Sequence, residues 1–141
     1  MDWLYPIHPK VVHFPIALFL TALALELMSL GIKKEIFHKS ALIIFILAAV
    51  FTPLVVKTGE WEAEKLKMMH PLVESHEEYA EKVMWGSLLA LLGLGVIYKI
   101  KPSWFRPAFL IILLVLAVLV GITAHYGGRM VYEYGVGTAN Y

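Results

Sequence analysis

Four long apolar runs, separated by short polar or charged segments, leave this chain few folds to choose from. A helix needs about 20 apolar residues to cross the hydrocarbon of a bilayer. The runs predict spans at about 9–30, 40–56, 76–98 and 107–126, with a connection at 57–75 and a C-terminal cap at 127–141. The chain has 141 residues, 60% of them hydrophobic, well above the apolar share of a soluble domain. A mean hydropathy of +0.72 agrees. The expected fold is therefore all-α, an up-down four-helix transmembrane bundle forming a single domain.

Local signals set the ends of these spans. Pro9 suits a first helical turn, where its missing N–H leaves no bond unmade, and Gly31 supplies a stop. Pro15 lies deeper and loosens the first turns of the span, while Thr52-Pro53 marks a kink in the second. The segment Ile32–Lys39 reads as a tight basic hairpin, and Lys99–Arg106 as another. Glu60–Glu74 is the longest connection, rich in Glu and Lys, with room for a short surface helix. Gly127-Gly128 is expected to end the fourth span.

Cysteine is absent, which excludes disulfides, thiolate metal sites, iron–sulfur clusters and covalent haem attachment. Any redox centre must be held by histidine. A net charge of +1 gives no hint of nucleic acid. Up-down order puts His8, His13, His70, His76 and His125 at one end of the bundle and His38 alone at the other. Basic residues are equal in number at the two ends, but the hairpins concentrate Lys33, Lys34, Lys39, Lys99, Lys101 and Arg106 in two short loops with one acid, Glu35. That density places the hairpins in the cytoplasm of a multi-pass protein of the cytoplasmic (inner) membrane, and the histidine end on the extracytoplasmic side.

The first chemistry this suggests is b-type haem held by two neutral imidazoles, since helix bundles build cofactor sites from side chains on facing helices. His13, His76 and His125 form the expected ligand pool, with His8 completing a second pair or bonding a propionate. One haem needs two of these histidines; two haems need all four. Ala17, Thr21 and Ala24 continue the face of His13, Gly121 lies one turn below His125, and Gly86 and Gly93 mark a close-approach stripe. Arg129 and Lys57 stand where propionates emerge, and Thr58-Gly59 permits close backbone approach. His70 and His38 are expected to be solvated, and Glu26 to snorkel toward the nearer interface. The second chemistry is a zinc or copper site made by three or four imidazoles. No H-E-x-x-H pattern or nucleophile triad is present, so an electron carrier or subunit is favoured over a stand-alone enzyme. A third class is a non-catalytic accessory subunit docking on a larger membrane complex.

The motifs Ile7-His8-Pro9, Val12-His13-Phe14-Pro15-Ile16, Thr58-Gly59, His76, Ala124–Tyr132 and Gly135-Val136-Gly137 resemble the predicted membrane protein family called domain of unknown function 2231, over nearly the whole chain. The resemblance implies a four-helix bacterial or archaeal membrane protein. Some members are joined to cytochrome c-type domains, which implies electron transfer by association. In the family pattern the positions of His8, His13 and His76 are histidine, whereas that of His125 is often aromatic. The implied partners are the lipid bilayer, a c-type cytochrome or other redox protein, and the quinone pool. Homo-oligomerisation or membership of a membrane complex is compatible with so small a bundle.

Overall fold

A computed structural model describes residues 7–31, 34–65, 67, 69–100 and 102–135. They form α1 (His8–Val11), α2 (His13–Met28), α3 (Lys34–Lys65), α4 (Pro71–Ile97) and α5 (Phe105–Tyr132). The first expected span is thus α1 and α2 together. Pro15 explains the break between them: it has no N–H to offer the carbonyl of Val11, so the backbone ladder lapses around Val12 although the chain stays in helical torsions there. The protein is all-helical, and four helical stretches are long and apolar enough to cross a membrane.

Two expected boundaries move. The connection at 57–75 is largely helix, because α3 runs 32 residues without a break and α4 already begins at Pro71. A helix of that length spans about 48 Å, more than the roughly 30 Å of hydrocarbon. The charged segment from Lys57 to Lys65 is therefore an extension of the span. Pro53 sits inside α3 without ending it. Likewise Gly127 and Gly128 lie within α5, which continues to Tyr132. The rest of the expected cap, from 136 onward, falls outside the described residues.

Packing follows one rule. In α2 the buried positions are Pro15, Phe19, Ala22, Glu26 and, just past its end, Ser29. In α3 they include His38, Ala41, Phe45, Ala48, Thr52, Val55 and Glu62. In α5 they are Phe105, Phe109, Leu113, Leu116 and Val120. The spacings are three, four or their sum, the narrow seam of a bundle whose helices run nearly antiparallel. Neighbours pack in the cyclic order α2, α3, α4, α5 and back to α2. Phe45 and Phe109 fill the centre with ring centroids 5.5 Å apart, and Phe19 meets Phe45 at 6.3 Å.

Because Phe109 is fully buried at that centre, Phe109→Ala should lower stability by about 3–5 kcal/mol. Leu92→Ala, on the outer surface of α4, should change it by less than about 0.5 kcal/mol. Unfolding of each variant in mixed micelles against denaturant checks both values.

Candidate functional site

The end of the bundle that collects most of the histidines brings two of them together. His8, at the start of α1, and His76, in the second turn of α4, lie with ring centroids 6.2 Å apart and ring planes nearly perpendicular. Each imidazole is tied to main chain on a different helix. His8 Nδ1 donates to the carbonyl of Val55 at 3.1 Å and lies 3.2 Å from Thr58 Oγ1. His76 Nδ1 donates to the carbonyl of Thr123 at 2.9 Å. A carbonyl can only accept, so both Nδ1 atoms carry hydrogen, and in the neutral rings Nε2 keeps a lone pair.

Two glycines make this arrangement possible. A Cβ on Gly59 would stand 2.9 Å from His8 Cε1, and one on Gly127 would stand 3.1 Å from His76 Cε1. A Cβ at Gly59 would force a shift, and one at Gly127 would require the His76 ring to give by a few tenths of an ångström. Glu62, buried on α3, accepts the backbone N–H of His8 at 3.2 Å and so fastens α1 against α3. Thr58 Oγ1 in turn donates to Val55 O at 2.7 Å. Of the expected site residues, then, His8, His76, Thr58 and Gly59 meet. Val55, Thr123, Gly127 and Glu62 join them and were not anticipated.

The other candidates stand apart from this cluster. His13 and His125 are both exposed, and so are Ala17, Thr21, Ala24 and Gly121. His8 is half-buried and His13 exposed, so their depths in the bundle are the opposite of those expected. Helical phase is the reason: the buried stripe Pro15, Phe19, Ala22, Glu26 extrapolates back through Val12 to His8, and passes beside His13. On α5 the stripe ending at Val120 continues to Thr123 and Gly127, and His125 lies off it. Arg129 pairs with Glu133 at 2.9 Å, and Lys57 pairs with Glu60. His70 is half-buried rather than solvated: its Nδ1 accepts the N–H of Leu72 as the N-cap of α4, and its ring lies 5.0 Å from Tyr134. Among the described residues no group of three or more histidines and carboxylates converges on one point, so the three- or four-imidazole zinc or copper site has no counterpart there.

The opposite end holds a second polar centre that also departs from expectation. His38 and Glu26 are both buried, with Nδ1 of the imidazole 2.8 Å from the carboxylate. Neither is solvated or snorkelling. Phe105 and Phe109 place their rings 6.1 and 5.9 Å from His38, nearly perpendicular to it. A buried carboxylate without a partner is costly in an apolar bundle, so sequence phase alone could have found this pair: Glu26 and His38 lie on the three-four stripes of α2 and α3.

Fold and geometry together define a multi-pass membrane bundle with a paired-histidine centre at one end and a carboxylate–imidazole pair at the other. The sequence profile of the family described as predicted membrane protein (DUF2231) matches residues 4–140, and the chain belongs to that family. Comparison with curated proteins and with solved structures gave no match.

Removing one partner of the buried pair exposes the other. Glu26→Ala or His38→Ala alone should cost about 3–5 kcal/mol, while the combined replacement Glu26→Leu with His38→Phe should cost clearly less than the sum. A double-mutant cycle on denaturant unfolding measures the difference.

Proposed function

We propose that this protein is a membrane-embedded b-type haem electron carrier, with His8 and His76 as the two axial ligands of one haem. The observation that carries this is the 6.2 Å separation of two imidazoles whose Nδ1 atoms are both engaged by main-chain carbonyls. Two imidazoles on opposite sides of one metal ion have centroids about 6 Å apart, from metal–nitrogen bonds of about 2 Å and roughly 1 Å more to each ring centre. At a tetrahedral angle the same rings would be about 5 Å apart. The observed 6.2 Å is near the first value, so His8 and His76 would be the residues to hold the group. Two protein donors also suffice for haem, whose macrocycle supplies the remaining ligands, whereas a closed zinc site needs four.

Bound there, haem supplies one-electron transfer. The chain's own residues do the rest. Val55 and Thr123 hold each ring in the tautomer that offers Nε2, and such carbonyl partners also raise ligand basicity. Gly59 and Gly127 admit the rings, and Glu62 keeps α1 seated. Exposed Glu64, Glu74, Glu78 and Glu81 surround the same end. This acidic rim suits a basic redox partner such as a c-type cytochrome, with the quinone pool as the other source or sink. On the density of basic residues in the hairpins, the haem end faces the extracytoplasmic side of the cytoplasmic membrane.

Purified in mild detergent from cells with ample haem, the protein should show a Soret band and, after dithionite, a sharp α-band. His8→Ala and His76→Ala should each lower haem content at least about tenfold. His13→Ala and His125→Ala should leave it unchanged. A colourless parent protein, or full haem retention in both His8→Ala and His76→Ala, overturns the proposal.

A further inference from the structure

At the hairpin end, Glu26 occupies only one nitrogen of His38. The side chain is 9% exposed, and among the described residues its Nε2 has no hydrogen-bond partner. His38 lines a cavity of about 210 Å³ together with Ser103, Arg106, Glu35, Pro102 and Phe105. A water molecule takes about 30 Å³ of liquid, so the space holds a group of several heavy atoms.

The wall is donor-rich. Arg106 spends one guanidinium N–H on the carbonyl of Lys34, at 2.8 Å, and has four more. Ser103 adds a hydroxyl, and Nε2 adds a donor when the ring is an imidazolium, with Nδ1–H already given to the Glu26 carboxylate. Glu35 is the only acid on the wall, and Lys39 neutralises it at 3.3 Å. Two helices also begin here. Glu35 and His38 belong to the first turns of α3, and Arg106 to the first turn of α5, whose N-terminus has no side-chain cap. Both helix dipoles therefore present their positive ends to the cavity. Lys34 and Lys39 in the first turns of α3, and Lys99 just before α5, lie at the same end and add long-range positive potential.

The geometry points to an oxyanion site: the cavity binds a phosphate group, through Arg106, Ser103 and His38, with Glu26 orienting the imidazole from behind. It lies where the candidate spans α3 and α5 begin, and basic pockets between transmembrane helices take anionic lipid headgroups. The same chemistry would accept free phosphate. This site is independent of the histidine pair at the far end.

The test is thermal unfolding of delipidated protein in neutral detergent with added phosphatidylglycerol, diacylglycerol of the same chains, or inorganic phosphate. Phosphatidylglycerol should raise the midpoint by about 5 °C, and diacylglycerol should not. Arg106→Gln and Ser103→Ala, both at accessible positions, should each weaken the phosphatidylglycerol effect by at least half. Stabilisation by inorganic phosphate alone, lost in the same variants, supports the site with soluble phosphate as its ligand. Equal effects of phosphatidylglycerol and diacylglycerol, or a phosphatidylglycerol effect untouched in both variants, overturn it.

Discussion

Every polar side chain that this bundle draws inward has to find its partner within the protein, because lipid offers none. That constraint explains the distribution of chemistry along the seam. The middle of each stripe is apolar or small: Phe19 and Ala22 on α2, Phe45 and Ala48 on α3, Leu113 and Leu116 on α5. Polar groups sit toward the ends, and each is tied to another helix or to its own backbone. His8 reaches the carbonyl of Val55, His76 that of Thr123, and His38 the carboxylate of Glu26. Thr52 and Ser87, deeper in the seam, return their hydroxyls to the carbonyls of Ala48 and Met84 on their own helices. A hydroxyl can be satisfied one turn back; an imidazole needs a neighbour, and so fixes how two helices meet.

Two helix contacts at the histidine end depend on glycine for this reason. The rings of His8 and His76 fill the volume a Cβ on Gly59 or Gly127 would claim. The imidazoles are thus packed against backbone, where they reach carbonyls one turn away on the same helix. Gly93, Gly95 and Gly121 have nothing within 4 Å of a Cβ position, and their small size serves no contact inside the described bundle. A glycine stripe alone therefore does not identify a site; a glycine facing an imidazole does.

The spans were legible because length and apolarity suffice to define a crossing, and the four stretches lie where the runs predict. The extents were not, since Lys57–Lys65 is polar in composition yet remains helical beyond the hydrocarbon, carrying Glu62 on the inward stripe. The site was half legible for a related reason. Up-down topology correctly put His8, His13, His76 and His125 at one end, but depth along the axis does not choose a face. Phase does, and it needs the three-four stripe read from its unambiguous middle: Phe19 and Ala22 point inward, so His8 follows and His13 does not. On the same reading His38 and Glu26 fall inward together, although a basic hairpin and a nearby interface each suggest water.

The two polar centres act through different physics. Glu26 lies 18 residues beyond His8, about 27 Å along the helix axis. The rings of Phe19, Phe45 and Phe109 fill the space between the two centres and pack against one another. The two ends are joined through these packed helices, whose close-packed cores transmit displacement. The carboxylate–imidazole pair at the hairpin end fixes how α2 and α3 lie against each other. That alignment sets where Val55 and Gly59 stand beneath His8 at the opposite mouth.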